Sequence, residues 1–288
     1  MSKRKLDGAI ETNKRFQIAV PTVAGSSSES ESDSDHGPID DSSSEMSADS
    51  YGMQIDDAGP IDLSSNQMEE IPVSFDFCDP NEKYFHPIRS LIDNRFFKDE
   101  VGLEIGELAE LIINQGAVGT FVVQEGGRDV FAFITVLPLS FHKDKPAISS
   151  LVHYLKKKNK HMETKIFRKN TNVGLLIHER MINLPLQIIP TLHNSVLMDI
   201  DWAIENEISD EHKEKFKFDS YLVLAPCEKQ EGSQSSLSQT VFLKFEDETL
   251  VNNAGFYMDL GGNVIAALLT PEEYKRAVLE IERMACSP

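Results

Sequence analysis

A histidine next to a glutamate is raw material for zinc hydrolysis or general acid–base chemistry, and this chain carries the pair at His178-Glu179. A zinc helix of that kind needs a second histidine four residues on, where position 182 is Ile. The pair also falls at the end of an expected strand, so zinc is rejected. No Walker lysine loop and no G-x-G-x-x-G follows any expected strand. Gly261-Gly262 sits between two short apolar runs, where a tight turn accounts for it. There is no G-x-S-x-G elbow, and no cysteine stands beside a histidine. Asp199 and Asp201, two apart on an expected helix, face different ways and read as solvated surface. No catalytic, cofactor-binding or metal-binding residue is assigned, and the chain is expected to be no enzyme and to carry no cofactor.

One basic cluster stands out, Lys156-Lys157-Lys158-Asn159-Lys160-His161, with Lys165, Arg168 and Lys169 behind it. Single-strand nucleic-acid binders interleave such charges with stacking aromatics, and only Phe167 is near. A formal net charge of −19 repels polyanions at long range, so no direct nucleic-acid binding is expected. The cluster reads as a solvated loop, an import signal or a docking site for the chain's own acidic arm. The single tryptophan, Trp202, falls beside the apolar stripe of its helix. It packs at the stripe's edge or serves as an exposed interface anchor. Trp202, Lys156, Lys157 and Lys158 are therefore the partner-binding candidates.

The elements that must position such groups centre on residues 172–205. Val173-Gly174-Leu175-Leu176-Ile177 is a continuous apolar run, the mark of a strand buried on both faces. A turn follows over His178–Asn183, and then a helix with Pro185 near its first turn. Ile189, Leu192, Val196, Ile200 and Ala203 recur at helical spacing, so one stripe of that helix faces a sheet. Such a strand-to-helix turn often receives a cofactor's phosphates, but here it contains no glycine.

Around this centre, Val73–Phe77 alternates as a strand, and helices are expected near 84–96 and 104–115. Strands at 119–124 and 129–137 flank the hairpin signal Gly126-Gly127. A helix is expected over 147–158, and strands over 218–225, 240–245, 256–260 and 263–268. Thr270-Pro271-Glu272-Glu273 starts a last helix that reaches Met284. About seven strands and five helices, with hairpins and crossovers mixed, give an α/β class: a mixed sheet flanked by helices.

Charge divides the 288 residues. Residues 1–15 carry a net of +3, and Phe16–Glu82 holds sixteen acids with no Lys or Arg. That leaves −6 for Lys83–Pro288, an ordinary value for a folded domain. The division predicts a disordered acidic, Ser-rich arm over 1–70 and a single domain over 71–288. Lys3, Arg4 and Lys5 fit a nuclear-import signal or a solvated start to that arm. Ser26, Ser28, Ser30, Ser32 and Ser42 each have an acid three residues on, a pattern suited to acid-directed kinases and also forced by composition. No run approaches about eighteen uninterrupted apolar residues and no signal-peptide core is present, so neither membrane insertion nor secretion is expected. Three unpatterned cysteines, Cys78, Cys227 and Cys286, suit a reducing intracellular compartment.

The block Val173-Gly174-Leu175-Leu176-Ile177-His178-Glu179-Arg180-Met181-Ile182-Asn183-Leu184-Pro185 resembles the V-G-L-L-x-x-E-R-x-I-N-x-P segment of the BCCIP family. These eukaryotic proteins are named for interaction with the breast-cancer-susceptibility protein and a cyclin-dependent-kinase inhibitor, and have fungal ribosomal-protein-chaperone homologues. The strand Val73–Phe77, Leu111-Ile112-Ile113-Asn114-Gln115, the strand Phe218–Ala225 and the acidic arm are similar too, so the resemblance spans roughly 70–285. It implies a GCN-type N-acetyltransferase fold without a working acetyl-CoA site, used as a binding scaffold. It implies a nuclear and cytoplasmic chaperone or adaptor whose client is a basic large-subunit ribosomal protein. Roles in ribosome assembly, nuclear export, protein transport, cell-cycle control and DNA repair come with the family; no catalytic residue does. The alternative is a divergent acyltransferase-type enzyme.

Overall fold

The computed structural model describes residues 16–21, 70–93, 102–159, 164–166, 168, 171–207, 209–229, 237, 240–261 and 263–286, with backbone alone at 16–21, 70–73, 211 and 229. The chain divides into two compact units, Met1–Ile18 with Val73–Pro288, and Ala19–Pro72. The smaller unit is described only at 19–21 and 70–72, all of it strand. Phe16–Pro21 forms strand β1, inside the arm read from composition as disordered. Lys3, Arg4, Lys5, Ser26, Ser28, Ser30, Ser32 and Ser42 lie outside the described residues.

The strands of the larger unit are β2 (Glu70–Cys78), which belongs to it from Val73 on, β3 (Thr120–Gln124), β4 (Val130–Pro138), β5 (Val173–Arg180), β6 (Ser220–Lys229), β7 (Thr240–Phe242), β8 (Phe256–Gly261) and β9 (Val264–Leu269). They form a sheet in the order β2-β3-β4-β5-β6-β9-β8, with β7 on β6. All pairings are antiparallel except β5 with β6, which is parallel. The mixed sheet expected from sequence is thus mostly antiparallel: hairpins join β3 to β4 and β8 to β9, and helix-containing connections return antiparallel from β2 to β3 and from β4 to β5. Gly126, at φ 73°, makes the β3–β4 turn that its Gly-Gly dipeptide signals.

Helices cover both faces, as a sheet apolar on both sides requires. On one side lie α1 (Phe85–Ile92), α2 (Ile105–Ile113) and α3 (Pro146–Lys158), packed over Phe121, Phe133, Leu175 and Ile177. On the other lie α4 (Ile188–Asn206), α6 (Phe245–Asn253) and α7 (Pro271–Ala285), packed over Val136, Leu176, Val223 and Ala267. A short α5 (Asp210–Glu214) follows α4. Residues 175 to 177 of β5 alternate between the two cores, which is why that run reads as continuously apolar. Among the described residues, no helix is long and apolar enough to cross a membrane.

Gly174 shows how tightly this centre is packed. A Cβ there would lie 2.4 Å from Val136 Cγ1 and 2.9 Å from Phe218 Cδ1, so only glycine lets β4 and the aromatic close over β5. The last helix starts as its sequence requires. The Thr270 hydroxyl accepts from Glu273 N–H, and the Glu273 carboxylate accepts from Thr270 N–H, a complete capping box with Pro271 in the first turn.

Three local expectations are corrected. Strand β5 extends through His178-Glu179-Arg180, residues placed in a turn by their polarity. The residues pair with β4, Arg180 opposite Ala132, and side chains elsewhere satisfy their charges. Helix α4 begins at Ile188, so Pro185 precedes it and Pro190 occupies its first turn. The stretch 240–245 is a strand only to Phe242, and a helix begins at Phe245. Glu246, Asp247 and Glu248 fill that helix's first turn, where the dipole favours acids, and no strong apolar stripe announces it.

Candidate functional site

The parallel strands β5 and β6 separate after a short ladder. Their register pairs Val173 with Ser220, Gly174 with Tyr221 and Leu175 with Leu222, while each strand runs several residues further. Backbone alternation shows what faces the resulting gap. Met181 N–H bonds Phe131 O on β4, so the even-numbered residues of β5, His178 among them, turn their backbone groups to the gap. Cys227 N–H bonds Asn263 O beside β9, so Glu228 turns its groups toward the gap instead. There Glu228 pairs with Val241 of β7. Pro226, also even-numbered, has no N–H to leave unsatisfied in the gap.

The β7–α6 junction therefore plugs the space between the strands. Its Lys244 ammonium donates to His178 O at 3.0 Å and to Glu179 Oε2 at 3.3 Å, and stands 3.6 Å from Asp247 Oδ2. Arg180 Nε donates to Glu246 Oε1 at 2.7 Å and its Nη2 to Oε2 at 3.3 Å, a two-pronged clamp between β5 and α6. His178 Nε2 lies 3.2 Å from Asp247 Oδ1. Neither approach to Asp247 is a well-aligned hydrogen bond, so that carboxylate is held by charge rather than by donors. Behind His178, the His193 ring of α4 lies 5.2 Å away, and His193 Nδ1 is 2.9 Å from Tyr274 Oη of α7.

Burial dominates the electrostatics, since the Glu246 and Asp247 side chains are each 1% exposed. It pushes His178 down to about 3, reinforced by the Lys244 charge and opposed by Glu246. It likewise pushes His193 down to about 3, with His178 adding to the effect. Both imidazoles are thus neutral. Burial raises Glu179 and Asp247 above the carboxylate range, against the pull of Lys244. Glu246 is also pushed up by burial, but the Arg180 hydrogen bond, His178 and the Arg180 charge outweigh that and hold it low. Burial works against the Lys244 charge, yet Asp247, Glu179 and Glu246 together raise it. Two histidines, a tyrosine and three carboxylates are the ingredients of acid–base chemistry, but here they are spent on one another. The network pins α6 to β5. Among the described residues, no cluster of His, Cys, Asp and Glu has the arrangement to hold a metal ion.

Large apolar side chains surround the cluster in sequence and are exposed to solvent. Ile182, 93% exposed, and Met181 follow Arg180, while Val241 and Leu243, the latter 61% exposed, precede Lys244.

The sequence-derived candidates are scattered. Trp202, on α4, is partly buried against the core, the packing role. Lys156, Lys157 and Lys158 close the last turn of α3 and are exposed, so they form a helix end, where the dipole favours cations, and not a loop. Asp199 is not merely solvated: its Oδ2 accepts from Gly119 N–H at 3.0 Å and from the Thr120 hydroxyl at 3.4 Å, tying α4 to the start of β3. Sequence reasoning missed Lys244, Glu246 and Asp247 altogether. Their only local signal is a run of acids opening an undetected helix, and nothing in it says that they are buried.

The family model described as BCCIP matches residues 70–250. Protein BCCIP homolog of Arabidopsis thaliana is 31% identical over 199 residues, 64% of this chain and 60% of that protein. Protein bcp1 of Emericella nidulans is 30% identical over 217 residues, 67% of this chain and 73% of that protein. Protein bcp1 of Schizosaccharomyces pombe is 32% identical over 165 residues, 54% of this chain and 56% of that protein. The chain thus spans between about half and three quarters of these relatives' lengths. The crystal structure of BCP1 from Saccharomyces cerevisiae is similar in fold, with a TM-score of 0.56 at 22% identity, covering 77% of this chain and 94% of that one.

Proposed function

This chain belongs to the BCCIP family, and we propose that it is a non-catalytic binding protein, a chaperone or adaptor that escorts a basic large-subunit ribosomal protein. The finer fold assignment, a GCN-type N-acetyltransferase scaffold without a working acetyl-CoA site, is part of the same proposal. Acetyltransferases of that kind hold a pyrophosphate on the free N–H groups of a glycine-rich turn opening the central helix.

The observation that carries the reading is the state of those amides at α4. Ile188 N–H bonds Pro185 O at 3.1 Å, Ile189 N–H bonds Leu186 O at 3.1 Å, and position 190 is a proline with no N–H. Three successive positions therefore have no donor to aim at a phosphate. The segment between β5 and α4, residues 181–187, holds no glycine. The gap beside this helix is filled by Lys244, Glu246 and Asp247, so a ligand there would have to displace paired, buried charges.

The client class follows from charge. A net of −19, most of it before residue 83, favours basic partners by long-range attraction. Work in ribosome assembly and export places the protein in nucleus and cytoplasm, with cell-cycle and DNA-repair proteins as further partners; direct nucleic-acid binding and membrane association are not part of the proposal.

The test combines two measurements on the full chain. Purified large-subunit ribosomal proteins are added singly, and light scattering and size-exclusion chromatography follow their solubility. One of them should stay soluble in a stoichiometric complex. Thermal shift with acetyl-CoA should show no stabilisation, whereas true binding at a hundred times Kd adds about 2.7 kcal/mol. A saturable shift, with no ribosomal protein retained, would overturn the proposal in favour of a divergent acyltransferase built on His178, His193 and Tyr274.

A further inference from the structure

Met181-Ile182-Asn183-Leu184-Pro185-Leu186, the segment that leaves β5, holds four large apolar side chains. Leu184 N–H bonds Met181 O at 3.2 Å, and of the four only Leu184 is buried; Met181, Ile182 and Leu186 are exposed. Val241-Phe242-Leu243, before Lys244, alternates as a strand does. Phe242 packs against the core with Cys227 opposite it, and Val241 and Leu243 are exposed.

Of the ten large apolar side chains exposed among the described residues, these two segments hold five. Lone exposed apolar side chains are ordinary, whereas grouped ones mark contact surfaces. The grouping is tertiary. The Arg180–Glu246 and Lys244–Glu179 ion pairs tie the root of one segment to the root of the other. Buried charge thus holds the exposed side chains in place, and a partner docking on a preformed surface loses less freedom. Exposed acids stand beside them. Glu228 is opposite Val241 in the β6–β7 ladder, so the two side chains share one face. Glu248 lies in the first turn of α6, two residues after Glu246 of the clamp.

We propose that Met181, Ile182, Val241 and Leu243 are the docking surface for a basic partner segment, one with apolar side chains along one face and flanking lysines or arginines that reach Glu228 and Glu248. Charge selects this occupant. A second copy of the chain brings a further −19 and the same acids. The stretch Phe16–Glu82, with sixteen acids and no Lys or Arg, has the sign of Glu228 and Glu248. A membrane surface is anionic as well. A full interface takes about 20–30 residues a side, so these four side chains are its central hot spot and the acids its rim. The inference rests on the basic-client reading proposed above, and adds where that client is held.

The full chain is titrated with two probes. One is a labelled synthetic peptide with leucines at helical spacing and lysines between them, followed by fluorescence anisotropy beside a scrambled peptide of the same composition. The other is each purified large-subunit ribosomal protein, followed by size-exclusion chromatography. Ile182→Ser/Leu243→Ser alters the surface without touching a buried group; Leu279→Ser, on α7, is the control, its side chain as exposed as that of Leu243. The ordered peptide should outbind the scrambled one, slow hydrogen exchange at 181–187 and 240–244, and lose about tenfold in affinity with the double variant. Leu279→Ser should bind as the wild type does. Glu228→Gln/Glu248→Gln should lower the association rate more than it raises the dissociation rate. Equal peptide affinity in the wild type and the double variant, or slowed exchange confined to other segments, would overturn the proposal. So would a ribosomal protein that both retain, while leaving the client reading intact. If the wild type retains none, the client reading fails and the peptide comparison alone decides the surface.

Discussion

The ammonium of Lys244 donates to the main-chain oxygen of His178 at 3.0 Å. A side chain from the β7–α6 junction thus satisfies a backbone acceptor that a neighbouring strand would otherwise have taken. The same ammonium reaches Glu179 and Asp247, so a single cation answers three groups. Removing it leaves two buried carboxylates and one carbonyl without it. Lys244→Met should cost about 3 kcal/mol, the scale for breaking a buried ion pair from one side. Urea unfolding monitored by circular dichroism would measure it. A loss below about 1 kcal/mol would show that water relieves the site.

Arg180 and Glu246 act as one clamp. A double-mutant cycle with Arg180→Ala and Glu246→Ala should return a coupling of about 2 kcal/mol, since Glu246 is buried, Arg180 is only 10% exposed and the contact is two-pronged. Each single variant should be worse than additive bookkeeping allows. Coupling near zero would mean the two side chains act independently.

Acid should weaken the fold through His178 and His193. Both are held near 3 when folded and return to about 6.5 when unfolded, so below 6.5 the unfolded chain binds more protons. Stability contributed by the neutral rings is complete above pH 6.5 and falls with acidification at up to about 1.4 kcal/mol per pH unit for each ring. Glu179 and Asp247, raised by burial, take up protons more readily in the folded state and offset part of the loss. The window to examine is therefore pH 5 to 6.5. Unfolding midpoints should drop across it, and His178→Gln with His193→Gln should flatten the slope. An unchanged slope in the double variant would assign the acid sensitivity elsewhere.

Gly174→Ala tests packing rather than charge. The added methyl meets Val136 Cγ1 at 2.4 Å and Phe218 Cδ1 at 2.9 Å before relaxation. Overpacking of this kind costs about 1–3 kcal/mol. Thermal unfolding should shift downward, and Phe218→Leu in the same chain should recover part of the loss.

If the client is basic, the acids between residues 29 and 57 should speed encounter more than they hold the complex. Replacing them with Asn and Gln should lower the association rate and flatten its salt dependence, with little change in the dissociation rate, in stopped-flow or surface-binding kinetics. A change confined to the dissociation rate would place the acids within the contact itself.

Local pattern was enough to place much of this chain. Continuous apolarity marked β5, helical spacing marked the buried stripe of α4, Gly126-Gly127 marked the β3–β4 hairpin, and Thr270-Pro271 marked the start of α7. Each is a short-range effect, decided within one element or turn. The block from Val173 to Pro185 likewise carried the family by its residues alone. What the sequence could not disclose was which charges are buried. Lys244, Glu246 and Asp247 look like any solvated helix start, and His178-Glu179-Arg180 like any polar turn. They become a closed network only because β5 and β6 part after Leu175 and Leu222, leaving backbone groups that some other segment must meet. That divergence joins residues nearly seventy positions apart, and burial then fixes which groups are neutral and which stay charged. Desolvation depends on every neighbour that excludes water, so it belongs to the assembled tertiary structure and not to any stretch of the chain.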